Sequence, residues 1–291
     1  MSLARSGFVA VVGRPNVGKS TLLNQILGQK VSIVSTAPQT TRSQVRGILH
    51  RDDTQVVFVD TPGIHKPRSP IGGRLNDTAV GSISDTDVAC LVIDATAPVG
   101  PGDRFVAARL PSDAVIVVNK IDLASPEEVL AQLTKASGLE LAGGAEASDG
   151  GVEFFPVSAT TGAGVDDLVT HLVSRLPDGP AWYPQEQVRD SPEGFWVAEL
   201  VREQLLAILR EELPHSIATR VTEWEWPRIR CEIVVERESQ KGIVIGHKGK
   251  NLKQVGTMVR HQLPDGAHIE LHVVVDRSWQ HRDDIEERFG Y

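Results

Sequence analysis

From residue 7 to about 176, short continuous apolar runs alternate with stretches of helical spacing. The runs are GFVAVVG, VVFVD, DVACLVID, AVIVVNK and EFFPVSA; the helical stretches are KSTLLNQILG, DRFVAARL, PEEVLAQLTKA and GVDDLVTHLVSRL. A strand wetted on one face alternates apolar and polar residues, whereas unbroken runs suit strands covered on both faces. The pattern predicts an α/β domain with a mostly parallel sheet and helices on either side.

Two stretches break the periodicity. LAGGAEASDGG (141–151) is small and polar and reads as a surface loop; LPDGPAWYPQEQVRDSPEG (176–194) carries four prolines and reads as a linker. Beyond it, FWVAELVREQLLAILREEL has helical spacing. Strand-like runs follow around Ile217–Trp226 and Ile229–Glu236, then a Gly-containing turn, a helix near Lys250–Gln262 and a last strand, AHIELHVVV. This predicts an α+β domain. The expected division is 1–176, a linker at 177–194, and 195–291 including a C-terminal tail; no internal repeat is visible.

A chain of 291 residues fits two domains of ordinary size. Its 41% apolar and 23% charged residues are those of a globular protein. The net charge of −8 is spread evenly, with 15 Lys+Arg against 19 Asp+Glu up to residue 180 and the same numbers after it, so any polyanion must meet a local basic patch. Cys90 and Cys231 lie far apart in apolar runs, which argues against a disulfide framework or a zinc knuckle and for a reducing cytoplasm. The start of the chain lacks the pattern of a signal peptide, and no run of about 18 apolar residues is present to span a membrane. Peripheral membrane contact stays open.

Candidate chemistry begins at Gly13-Arg14-Pro15-Asn16-Val17-Gly18-Lys19-Ser20, which fits the P-loop pattern and stands after a strand and at the opening of the helix Ser20-Thr21-Leu-Leu. Glycines let successive backbone N–H groups curl around phosphates, Lys19 reaches the β- and γ-phosphates, and Ser20 ligates Mg²⁺. Asp60-Thr61-Pro62-Gly63 ends a second strand: Asp60 can hold the metal through water and Gly63 can offer its N–H to the γ-phosphate. Asn119-Lys120-Ile-Asp122 ends a third. Asp122 can accept both N1–H and the 2-amino group of guanine, Asn119 can reach N7, and the Lys120 stem can cover the ring. Adenine would leave that carboxylate half paired at a cost of about 1–3 kcal/mol, which selects GTP over ATP. Ser158-Ala159 suits a tight loop presenting the Ala159 N–H to guanine O6.

In the C-terminal half, residues 241–261 hold five Lys/Arg and no acid. Lys241 leads into Gly246-His247-Lys248-Gly249, a G-x-x-G loop between helical segments, followed by Lys250 and Lys253. Such a loop brings backbone N–H groups close to a nucleic-acid backbone while the lysines add charge. Aromatic stacking is not evident there, since His247 is the only ring in the loop.

With G-R-P-N-V-G-K-S, Q-T-T-R (39–42), D-T-P-G, N-K-I-D and V-S-A in this order, the sequence resembles the Era branch of the translation-factor-related GTPases. Its second half resembles a type II KH domain, a module that holds about four nucleotides, and I-G-H-K-G-K closely resembles the Era version. The resemblance covers 7–176 by motifs and 195–280 by the KH pattern and the tail R-S-W-Q-H-R-D-D. It implies a GTP-hydrolysing switch with Mg²⁺ as cofactor, whose switch I threonine, Thr41 with Thr40 as its rival, binds the metal. Lys19, Thr41 and Gly63 are then the catalytic set, and Ser20, Thr41 and Asp60 the Mg²⁺ set.

Ile64 stands where Ras-like enzymes place a water-orienting glutamine, as in the resembled family, which implies a slow basal rate. The P-loop Asn16 accompanies potassium activation in related GTPases, which makes K⁺ at Asn16 a hypothesis; the rival reading is that Asn16 only shapes the loop. Arg42 and Arg46 lie close enough in sequence to be weighed near the phosphates, but exposed arginines are more often merely solvated. The resemblance also implies a monomer that binds single-stranded RNA near the 3′ end of 16S rRNA and assists assembly of the small (30S) ribosomal subunit. A non-catalytic guanine-nucleotide sensor using the KH fold for protein docking is the alternative. A GTPase for RNA modification has no supporting motif.

Overall fold

The structure is a computed structural model, which describes residues 5–37, 40–64, 70–142, 152–209, 213–281 and 285–290. It divides into two compact units, Met1–Ser32 with Thr41–Asp190, and Ile33–Thr40 with Ser191–Tyr291.

The first unit runs β1 (Arg5–Val12), α1 (Lys19–Leu27), β2 (Val45–Arg51), β3 (Thr54–Asp60), α2 (Pro70–Ser84), β4 (Val88–Asp94), α3 (Pro101–Ala107), β5 (Val115–Asn119), α4 (Pro126–Ala136), β6 (Phe154–Pro156) and α5 (Val165–Ser174). The sheet order is β2-β3-β1-β4-β5-β6, and only the β2–β3 pair is antiparallel. Every residue of β4 and β5 is buried. Along β1, Val9 and Val11 enter one apolar cluster with α1 and α5, while Ala10 and Val12 enter the other with α2, α3 and α4. Both sheet faces are therefore core, as the unbroken apolar runs require. Strand order reverses about β1, and in open α/β sheets ligands bind beyond the strand ends at such a reversal.

Two elements had no counterpart in the apolar pattern. VRGILHR forms the edge strand β2, half covered and interrupted by glycine; PIGGRLNDTAVGSIS forms α2 despite three glycines. Residues 177–190, expected as a linker, run along the first unit instead. Val188 accepts from the Ile48 N–H at 2.9 Å, the Asp190 N–H donates to the Arg46 carbonyl at 3.1 Å, and the buried Gln55 side chain bonds the backbone of Trp182 and Tyr183. The compact units accordingly part at 190/191, whereas the sequence suggests limits at 176 and 195. Most of the loop at 141–151 lies outside the described residues.

The second unit runs α6 (Glu193–Ile208), β7 (Ile217–Glu225), β8 (Arg228–Val235), α7 (Glu238–Ile245), α8 (Lys250–Arg260), β9 (His268–Val275) and α9 (Ile285–Phe289). β7 pairs antiparallel with β8, and β8 pairs parallel with β9. One face of the sheet, carrying Ile217, Ile229, Cys231, Ile233 and Val273, is buried, and α6 and α8 supply Leu200, Val201, Leu205, Val255 and Val259 to the same core. The turn expected between β8 and the next helix holds a helix of its own, α7. Among the described residues, no helix is long and apolar enough to cross a membrane.

Leu91, wholly buried at the centre of the six-stranded sheet, tests the two-faced core. Leu91→Ala is expected to cost about 3 kcal/mol of first-unit stability, read as a lower urea midpoint, because the rigid sheet collapses poorly around the void.

Candidate nucleotide site and nucleic-acid interface

The P-loop leaves β1 at Val12 and enters α1 at Lys19. Gly18 caps the helix with φ 96°, and a Cβ there would lie 2.3 Å from Asn119 Nδ2, so both torsion and space demand glycine. Gly63 is fixed by close approach: a Cβ would sit 2.7 Å from the backbone N of Pro15. The D-x-P-G turn thus presses directly on the P-loop, where the Ile64 N–H also donates to the Gly13 carbonyl at 3.2 Å. Asp103 anchors the loop from α3 by accepting from Arg14 Nε at 2.7 Å. Thr61 and Pro62 are buried beneath it, and the Thr61 hydroxyl donates to the Val11 carbonyl.

Lys19 is buried and folds its ammonium over the loop, donating to the carbonyls of Arg14 and Gly13 at 3.1 and 3.3 Å. Loss of hydration lowers its pKa to about 8, with the nearby Asp60 charge opposing the fall. Asp60 is wholly buried and shifted upward for the same reason, against the pull of Lys19 and of hydrogen bonds from Ser20, Ser32 and Thr41.

Its Oδ2 accepts from Ser20 Oγ at 2.6 Å, Ser32 Oγ at 2.8 Å and Thr41 Oγ1 at 3.5 Å, and Ser20 Oγ is 3.0 Å from Thr41 Oγ1. Asp60 Oδ1 is buried with no hydrogen-bond partner among the described residues. Hard oxygen donors around a half-satisfied buried carboxylate fit a magnesium ion, whose ligands are oxygens completed by phosphate and water. Of the two candidate threonines, Thr41 faces this cluster; Thr40 turns its hydroxyl to the Ala37 carbonyl at 2.7 Å. Gln39 of the Q-T-T-R motif lies outside the described residues.

Asn119 is buried, and both of its amide atoms are engaged within the protein. Nδ2 donates to the Val17 carbonyl and Oδ1 accepts from the Ala159 N–H, each at 2.9 Å. The side chain expected at N7 and the amide expected at O6 therefore bond to each other, and the structure gives Asn119 the task of clamping the P-loop to the 158–159 turn. Ser158 shapes that turn by accepting from the Thr161 N–H. Lys120, at φ 69°, bridges the Asn16 carbonyl at 2.8 Å and Asp94 Oδ2 at 2.6 Å. Burial alone would raise the Asp94 carboxyl, but bonds from Lys120 and Thr96 outweigh it and hold the group below its ordinary value. Asp122 is exposed in the next turn and bonds to no other described residue, leaving its carboxylate open to a base. Val17 is buried, and Thr21 is half-buried on α1.

In the second unit, α7 ends at Gly246 (φ 73°), a short turn carries His247, Lys248 and Gly249, and α8 starts at Lys250. Asn251 Nδ2 donates back to the Ile243 carbonyl at 2.9 Å, closing the loop. His247, Lys248, Lys250 and Lys253 are exposed and Lys241 half-buried; none of the four lysines pairs with a described acid. Beside them Leu252, Gly256, Ile269 and Leu271 floor a recess of about 240 Å³, rimmed by Lys253 and Arg260.

The family model described as a 50S ribosome-binding GTPase matches residues 8–120, and that of the KH domain matches 212–280. GTPase Era of Mycobacterium avium is 44% identical over 96% of both chains, and GTPase Era of Mycobacterium tuberculosis is 43% identical over the full length of both. The chain belongs to the Era GTPase family. A crystal structure of Era with MgGDPNP and nucleotides 1506–1542 of 16S ribosomal RNA superposes with a TM-score of 0.90, at 36% identity over 99% of each chain. A second, of a single-residue variant of Aquifex aeolicus Era bound to GDP·AlF4⁻, gives 0.88 at 35% identity, again over 99% of each chain.

Membership in the Era family makes the protein a GTPase, and the non-catalytic sensor reading is set aside. Sequence reasoning missed Ser32, Asp94 and the recess around Ile269 and Leu271. The alternation in HIELHVVV places Ile269 and Leu271 on one face of β9 and could have found the recess; Ser32 and Asp94 carry no motif of their own.

Lys19 yields a pH test. A lysine titrating near 8 is about half neutral at pH 8 and must be charged beside phosphate, so GTP binding there takes up about half a proton, and affinity falls as pH rises above that point. Calorimetry in two buffers of unlike ionisation enthalpy measures this; zero uptake would mean that Lys19 is fully charged before phosphate arrives.

Proposed function

We propose that this GTPase is a Mg²⁺-dependent switch whose KH unit binds single-stranded RNA at the 3′ end of 16S rRNA and assists small-subunit assembly, as a cytoplasmic monomer. The observation that carries it is the pairing of the Ser20, Thr41 and Asp60 oxygens in one unit with the unpaired Lys248, Lys250 and Lys253 beside an apolar recess in the other. The similarity to an Era protein solved with MgGDPNP and nucleotides of 16S rRNA supports both halves. The proposed domains are the GTPase domain at 1–176, with the strip 177–190 lying along it, and the KH domain with its tail at 195–291.

In this reading, residues 13–18 cradle the phosphates with backbone N–H groups, and the Lys19 ammonium leaves the Arg14 carbonyl for the β- and γ-phosphate oxygens. The Gly63 N–H stabilises charge on the γ-phosphoryl group as it transfers. Ser20, Thr41 and Asp60 hold Mg²⁺, which supplies positive charge against the phosphate oxygens when bound. Asp122 accepts the two guanine donors, Lys120 covers the ring, and Asn119, Ser158 and Ala159 hold the wall behind it. Ile64 offers no atom to orient water, so basal turnover is slow. Bases lie in the Ile269–Leu271 recess while the 246–250 loop meets phosphates.

The double variant Lys248→Ala with Lys250→Ala removes two phosphate contacts. On a short RNA matching the 16S 3′ end, its affinity falls and the slope of log affinity against log salt flattens by about 1.4. GTP affinity stays unchanged; an unaltered slope would move the RNA contact elsewhere.

Asn16 sits at φ 65° with its carbonyl held by Lys120, at the mouth of the P-loop, and we assign K⁺ to its side chain. Turnover in KCl is expected to exceed that in NaCl at equal ionic strength, and equal rates end the assignment.

A further inference from the structure

Ile33, Val34 and Thr40 lead into Thr41, yet they group with the second unit. Ile33, 2% exposed, shares an apolar cluster with Leu200, Val201 and Leu205 of α6. The Val34 N–H donates to Glu203 Oε1 at 3.0 Å. Arg202, wholly buried, donates from Nε and Nη2 to Glu199 Oε1 and Oε2 at 2.7 and 2.6 Å, and its Nη2 also donates to the Thr40 carbonyl.

A bidentate guanidinium–carboxylate fork is rigid and geometrically specific, so the carbonyl it grips is held in place. One peptide bond onward, Thr41 turns its hydroxyl to Ser20 and Asp60. A chain fixed at Thr40 has few torsions left with which to set the reach of the Thr41 oxygen. Burying an arginine is costly, and an α6 that only needed to pack could carry an apolar residue there.

We propose that Arg202, oriented by Glu199, is a positioning residue for the γ-phosphate state: by holding the Thr40 carbonyl it places the Thr41 hydroxyl for the metal that accompanies GTP. The proposal rests on the reading of Thr41 as a metal ligand. Holding the Thr40 carbonyl in place therefore favours GTP over GDP.

The test replaces both members of the fork, Glu199→Leu with Arg202→Met, so that no unpaired charge is left buried. Calorimetry with a non-hydrolysable GTP analogue and with GDP, both in Mg²⁺, reads the effect without turnover. The paired variant is expected to bind the analogue about tenfold more weakly while GDP affinity moves less than about twofold. Thr41→Ala should show the same selective loss, and adding it to the paired variant should weaken analogue binding little further, because both act through one hydroxyl. Additive losses, or an unchanged ratio of analogue to GDP affinity in a variant that melts normally, would overturn the role of Arg202. An unchanged ratio in Thr41→Ala would instead sink the reading of Thr41. Should the paired variant fail to fold, Arg202→Lys carries the same comparison, since a lysine cannot reproduce the fork; a wild-type ratio there would also overturn the proposal.

Discussion

Two opposite charges taken out of water at one edge of a sheet set the terms for the nucleotide site. Lys19 and Asp60 are each nearly or fully buried, and each is driven toward its neutral form by that burial. Neither has a full complement of partners within the protein: the ammonium leans on loop carbonyls, and one carboxylate oxygen has none among the described residues. Such groups gain most from a ligand bringing charge of the opposite sign, negative oxygens for one and a divalent cation for the other. The site is thus complementary to a nucleotide with its metal before either arrives, and the core below supplies the rigidity that keeps the charges from escaping to solvent.

The proposed recognition of the base depends on a different device. Asn119 spends its amide on Val17 and Ala159, and Lys120 spends its ammonium on Asn16 and Asp94, so the ends of four strands, β1, β4, β5 and β6, are tied together. Asp122 is left uncommitted. In the function proposed above, selectivity is assigned to this one carboxylate, standing in a frame that cannot shift to suit a different purine.

Much of this was legible along the chain. The apolar runs located five of the six strands of the first unit, because strands covered on both faces leave a continuous signal, and the helix read at 126–136 has the bounds found for α4. β2 and α2 escaped because an edge strand and a glycine-containing helix derive their order from tertiary neighbours rather than local pattern. At the candidate site, the loop residues that the fold brings together carry motifs that need glycine or a specific charge at fixed spacing. Ser32, Asp94 and Arg202 do not, since each acts on a partner brought close only by the fold, 28 residues away for Ser32 and Asp60 and 162 for Arg202 and Thr40. Thr41 could be separated from Thr40 only once the direction of each hydroxyl was known.

The strip at 177–190 has a bearing on solubility. β2 is the outermost strand of its sheet, and an open outermost strand offers unpaired backbone groups on which another molecule can add a strand. Val188, Arg189 and Asp190 occupy that position against Ile48, Gly47 and Arg46. The proline-rich strip therefore acts as a built-in selvedge, and a truncation that removed it would bare a seam prone to self-association.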